Sequence, residues 1–133
     1  MNGCKNIKDF TPISKIKRLE ILYVAETNIS DISFLENNKN IKNLYLYSCK
    51  NINDFTPISK FEQLEILSLS YTNINDIWFL EKNKNIKNLS LDNCKNIKDF
   101  SILSKIERLE ILELHSTNIS DISFLESNKN IKQ

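Results

Sequence analysis

Cys49-Lys50-Asn51-Ile52-Asn53-Asp54-Phe55 decides the fold, because it occurs three times with small changes. Cys4-Lys5-Asn6-Ile7-Lys8-Asp9-Phe10 precedes it and Cys94-Lys95-Asn96-Ile97-Lys98-Asp99-Phe100 follows it, each 45 residues away. A fixed period of that length marks an array in which one supersecondary unit stacks on the next. Two shorter units fill each period. Leu19, Ile41, Leu64, Ile86, Leu109 and Ile131 are equivalent, at spacings alternating between 22 and 23 residues.

Around those positions each unit reads L-x-x-L-x-L, with the apolar sets Leu19, Leu22, Val24; Ile41, Leu44, Leu46; Leu64, Leu67, Leu69; Ile86, Leu89, Leu91; and Leu109, Leu112, Leu114. The closing L-x-L alternates as a half-buried strand does. One such unit cannot bury its apolar side alone. Stacking units about 4.8 Å apart pairs the strands in parallel and closes a continuous core.

This pattern resembles the leucine-rich repeat. Units such as Thr27-Asn28-Ile29-Ser30-Asp31-Ile32-Ser33-Phe34-Leu35 resemble the 22-residue repeats of bacterial internalins and of the leucine-rich regulatory subunit of protein phosphatase. The 23-residue units, such as Leu44-Tyr45-Leu46-Tyr47-Ser48-Cys49-Lys50-Asn51-Ile52-Asn53-Asp54, resemble the cysteine-containing subclass. The resemblance implies an α/β, right-handed solenoid with a parallel sheet on its concave face and short 3₁₀ or irregular turns on its convex face. The expectation is a single domain over residues 1–133, with full repeats starting near 19, 41, 64, 86 and 109 and partial repeats at both ends.

Recurring polar positions read as structural. Asp9, Asp31, Asp54, Asp76, Asp99 and Asp121 can each accept backbone N–H bonds where a convex turn begins. Asn6, Asn28, Asn51, Asn73, Asn96 and Asn118 are expected to satisfy backbone groups in the bend, and Phe residues of the convex half to stack. Ile16, Phe61 and Ile106 read as buried anchors, whereas Asn38, Asn83 and Asn128 at the same place read as polar turns. Glu20, Lys42, Glu65, Lys87, Glu110 and Lys132 alternate in sign, which favours the in-register stack.

Composition narrows the chemistry. With 18 Lys and Arg against 17 Asp and Glu, the net charge of +1 supplies no field for nucleic acid. A single Gly in the first unit excludes Gly-rich phosphate loops. No apolar run reaches the roughly 18 residues of a membrane span, and no signal-peptide core is visible, so no membrane insertion is expected. The three Cys lie two coils apart, about 10 Å, beyond disulfide reach, and read as small buried thiols. Unpaired thiols and the missing leader together predict a cytoplasmic location, with a secreted or surface-attached one as the alternative for a piece of a longer chain. His115, with Glu113 and Asp92 beside it, has no nucleophile to serve, and one His cannot complete a zinc site. No enzyme activity, metal or cofactor is expected.

The outward strand positions are where a leucine-rich repeat usually meets a partner. All four tyrosines, Tyr23, Tyr45, Tyr47 and Tyr71, fall there, with Ile21 and Ile66 flanking them and Asp92, Glu113 and His115 further along. Tyrosine offers large contact area, a polar tip and little rotamer entropy. The expected function is therefore a non-catalytic module binding an unidentified protein through Ile21, Tyr23, Tyr45, Tyr47, Ile66, Tyr71, Asp92, Glu113 and His115. Trp78 stands apart, at a convex site. Both ends read as uncapped strand edges, so the alternative is a structural segment that self-associates through them.

Overall fold

The computed structural model describes residues 1–133 and shows a right-handed solenoid of stacked coils. Five three-residue strands, β1 (Ile21–Tyr23), β2 (Asn43–Tyr45), β3 (Ile66–Ser68), β4 (Asn88–Ser90) and β5 (Ile111–Glu113), form one parallel sheet in chain order. The central leucines are in register: Leu22 beside Leu44, Leu67, Leu89 and Leu112. That alignment keeps every leucine facing inward, because a one-residue slip would turn it to solvent. Six 3₁₀ segments, Thr11–Lys15, Ser33–Asn37, Thr56–Lys60, Trp78–Lys82, Ser101–Lys105 and Ser123–Ser127, cover the convex side.

Hydrogen bonding continues beyond each short strand. Val24, Leu46, Leu69 and Leu91 donate to the next coil's carbonyls at 2.9–3.2 Å, and so do Glu26, Ser48, Tyr71 and Asn93 at 2.7–2.9 Å. The chain then bends sharply. Glu26, Ser48, Tyr71, Asn93 and Ser116 all have φ of 56–59°, as Gly3 has at 70°. Five side-chain-bearing residues thus occupy the left-handed region, which disfavours all residues but glycine and, less strongly, asparagine and aspartate.

Behind the bend a column alternates threonine and cysteine. Thr27, Thr72 and Thr117 donate to carbonyls of their own coil at 2.7–2.8 Å. Cys49 and Cys94 instead reach the preceding coil, donating to Val24 at 3.1 Å and Leu69 at 3.2 Å. All three thiols are free. Cys4 departs from the expected burial: it is exposed, because no preceding coil covers it in this structure.

All six recurring aspartates accept a backbone N–H from the residue two positions on, Thr11, Ser33, Thr56, Trp78, Ser101 and Ser123, at 2.7–2.9 Å. These are Asx-type turns that lead into each 3₁₀ segment. Of the bend asparagines only Asn28, Asn73 and Asn118 behave as expected, each donating to a lysine carbonyl of the preceding coil at 2.7 Å. The reading of Asn38, Asn83 and Asn128 as polar turns is corrected: all three are buried. Asn83 donates to the carbonyls of Ile58 and Phe61, both at 3.0 Å, and Asn128 to those of Leu103 and Ile106. Each of these carbonyls also accepts a backbone N–H, Ile58 from Phe61 and Phe61 from Leu64, so the amide supplies their second hydrogen bonds and ties two coils together. Ile16 is also exposed rather than an anchor, whereas Phe61 and Ile106 are fully enclosed.

Hydrophobic residues from Phe10 to Phe124 form one contiguous core along the stack.

Candidate interaction surface

Each outward strand position continues across the sheet as a row. The first row reads Ile21, Asn43, Ile66, Asn88, Ile111, and the second Tyr23, Tyr45, Ser68, Ser90, Glu113. A third, two residues on, reads Ala25, Tyr47, Ser70, Asp92, His115. Aromatic residues therefore occupy the N-terminal half of the face and carboxylates the C-terminal half.

The tyrosines pair. Tyr23 and Tyr45 stack with ring centroids 4.1 Å apart and planes 5° apart, whereas Tyr47 and Tyr71 meet tilted, at 5.2 Å and 57°. Tyr23, Tyr47 and Tyr71 remain 37–45% exposed, and Ile21 is 50% exposed. Tyr45 is half-buried. Desolvation, reinforced by the neighbouring Tyr23 hydroxyl, pushes its phenol up to about 12.

Between the two halves lies a recess of about 430 Å³. It exists because Ser68, Ser70 and Ser90 stand where neighbouring strands carry tyrosine or acid. Tyr45 and Tyr47 wall one side, Asp92 and Glu113 the other. Ser70 and Ser90 share a hydroxyl hydrogen bond of 2.5 Å at its floor, and Ser70 Oγ accepts the Asp92 N–H at 3.0 Å. Five predicted residues meet in this recess: Tyr45, Tyr47, Ile66, Asp92 and Glu113. Ile21 and Tyr23 lie beside it on β1, and Tyr71 and His115 at its outer margin. Sequence spacing alone puts these serines at outward strand positions, but their smallness becomes a feature only beside large neighbours.

His115 is 80% exposed. Its backbone N–H and Nδ1 both face Asp92 Oδ1, at 2.7 and 3.0 Å. The contact fixes Asp92 and offers no nucleophile. Burial pushes the Cys49 and Cys94 thiols up, against weaker opposition from Thr27 and Thr72, so neither is a reactive thiolate. No group of three or more His, Cys, Asp or Glu could hold a metal ion. No helix is long and apolar enough to cross a membrane. On the convex side Trp78 is 49% exposed beside the stacked Phe55 and Phe79.

Comparison with known proteins agrees with this geometry. The family model for leucine-rich repeats (2 copies) matches residues 17–60. No curated protein matches the chain significantly. Among solved structures, an internalin (inlF) from Listeria monocytogenes superposes with a TM-score of 0.82 at 25% identity, over 95% of this chain and 37% of that one. The functional domain of InlJ from Listeria monocytogenes, which includes a cysteine ladder, gives 0.64 at 20% identity, over 92% and 31%. The leucine-rich-repeat ectodomain of the Arabidopsis receptor kinase HAESA, in complex with a peptide hormone ligand, gives 0.75 at 17% identity, over 92% and 22%. The chain thus spans well under two thirds of each. The expected cytoplasmic location is overturned here, because internalins are secreted or surface-anchored bacterial proteins. The physical reason is that stacking alone keeps alternate-coil cysteines apart, whatever the redox potential around them. The fold is typical of protein–protein interaction modules. The chain is a leucine-rich-repeat solenoid similar to the internalins.

Proposed function

We propose that the protein is a non-catalytic recognition module whose concave tyrosine face binds a protein partner. One observation carries this reading: all four tyrosines of the chain lie on the concave side, in two ring pairs, with three of them substantially exposed. Exposed aromatic clusters of that kind supply the desolvated anchors of protein interfaces. Ile21 and Ile66 extend the apolar part of the face, and Asp92, Glu113 and His115 its polar end. The two coil lengths are read as internalin-like 22-residue units alternating with 23-residue units of the cysteine-containing type.

Matched baits test the proposal. The native chain and a folded Tyr45→Ala, Tyr47→Ala, Tyr71→Ala variant are each presented to the same extract. A protein retained by the native chain and lost by the variant supports the reading; equal retention refutes it. Assembly through the solenoid ends is the competing reading. It is separated by sedimentation of the same variant, since end-to-end stacking does not use the tyrosines.

A further inference from the structure

The recess at the centre of the concave face has a chemistry of its own. Asp92 and Glu113 are the ionised side chains that line it, and no lysine or arginine does. Most carboxylates on this stack are already engaged. Glu20, Glu65 and Glu110 hold Lys42, Lys87 and Lys132, Glu81 holds Lys105, and the recurring aspartates hold their own turns. The Glu113 carboxylate has no hydrogen-bond or ion-pair partner, and the Asp92 carboxylate uses only Oδ1, leaving Oδ2 free. The recess is therefore a local negative site on a chain whose net charge is +1.

Its opposite wall is aromatic. Tyr47 and Asp92 stand two coils apart, roughly 10 Å at about 4.8 Å per coil, with only Ser70 between them. That gap admits one side chain with a ring on one flank and a carboxylate on the other. A planar cation satisfies both flanks, because guanidinium stacks on an aromatic face while its N–H groups reach a carboxylate. The floor hydroxyls of Ser70 and Ser90 can accept from the same donors.

We propose that this recess seats an arginine side chain of the partner, held between Tyr45 and Tyr47 on one side and Asp92 and Glu113 on the other. The proposal rests on the concave face being the binding face, and its test is independent of the bait experiment.

The probe is the tripeptide acetyl-Gly-Arg-Gly-amide, with its citrulline counterpart as the neutral isostere, titrated into the isotope-labelled full chain by NMR. The arginine peptide is expected to shift the amides of Ser70, Ser90, Asp92 and Glu113 saturably, and added salt to weaken the effect. The citrulline peptide and an Asp92→Asn, Glu113→Gln variant should each bind about tenfold more weakly, whereas Glu36→Gln on the convex side should leave binding unchanged. Equal binding of the two peptides, shifts elsewhere, or full binding by the double variant overturns the assignment. Tyrosine-dependent partner capture with no arginine preference defeats this inference alone. Arginine binding without tyrosine-dependent capture defeats the proposed function alone.

Discussion

Glu26, Ser48, Tyr71, Asn93 and Ser116 all sit at φ near +57°, at the one place in each coil where a glycine would be unstrained. Gly3 occupies the equivalent bend. Relief of a left-handed residue is worth about 1–2 kcal/mol, reduced by the extra freedom glycine brings to the unfolded chain. Ser48→Gly should therefore raise stability by up to about 1 kcal/mol, and Ser48→Val, β-branched, should lower it by about 1–2 kcal/mol. Urea midpoints measure both, and the order Gly above Ser above Val is the outcome that matters. Asn83 is the second residue on which much depends. Its Nδ2 serves two buried carbonyls, while its own Oδ1 has no partner. Asn83→Ala should cost about 1–3 kcal/mol by removing two buried hydrogen bonds between coils, whereas Asn85→Ala, which removes exposed bonds to Glu62 and from Arg108, should cost under about 1 kcal/mol. Similar losses for the two would mean that the buried inter-coil bonds of Asn83 contribute no more than exposed ones.

At the scale of the element, the Asx turn and the paired coil explain what could and could not be read in advance. The aspartate turns were legible because the bond spans two residues and needs nothing from elsewhere. Asn38, Asn83 and Asn128 were misread because their partners belong to the preceding coil, which sequence proximity does not reveal. The recess was hidden for the same reason, being made by what neighbouring strands lack. Hydrogen bonds to Thr11, Ser33, Thr56 and Ser101 hold Asp9, Asp31, Asp54 and Asp99 below the usual carboxylate range. Because the folded pKa values are depressed, the unfolded chain binds more protons between the two values. That contribution is thus complete above the unfolded pKa of about 3.9 and lost as pH falls through the folded values. The urea midpoint should fall steadily below about pH 4; a midpoint flat to pH 2 would show these bonds to be energetically silent. The coils also come in pairs. Asn73, Asn83 and Asn85 and the Lys87–Glu65 bridge all tie Thr72–Asn93 to the coil before it, and equivalent bonds recur in the other two pairs. Deleting Cys49–Asn93 preserves that alternation and should leave a folded, cooperative protein. Deleting only Thr72–Asn93 stacks two cysteine coils directly, about 4.8 Å apart, within disulfide reach. Alkylation and mass spectrometry should then find a Cys49–Cys94 bridge under oxidation, which the native chain never forms. Free thiols in a folded version of that variant would contradict the paired-coil arrangement.

For the whole molecule, the solenoid sorts chemistry by face. Leucine and isoleucine fill the interior, aspartate and asparagine tie the convex turns, and the variable outward strand positions are left for tyrosine, serine and acid. The fold was readable from the 45-residue period because each coil contacts only its neighbours, so a local pattern repeats into a global shape. The nine site residues chosen from the sequence do lie on one face, yet five of them meet in the recess and four surround it. Two exposed aromatic regions compete for the role of binding surface, the concave tyrosines and the convex Trp78. The most direct measurement titrates a partner captured by the native chain against Tyr47→Ala and Trp78→Ala, each verified as folded. Loss of a buried aromatic anchor is worth about 2 kcal/mol or more, roughly thirtyfold in affinity. A loss of that size for Tyr47→Ala with unchanged binding by Trp78→Ala is the predicted result; full affinity in Tyr47→Ala and a loss in Trp78→Ala would place recognition on the convex side and contradict it.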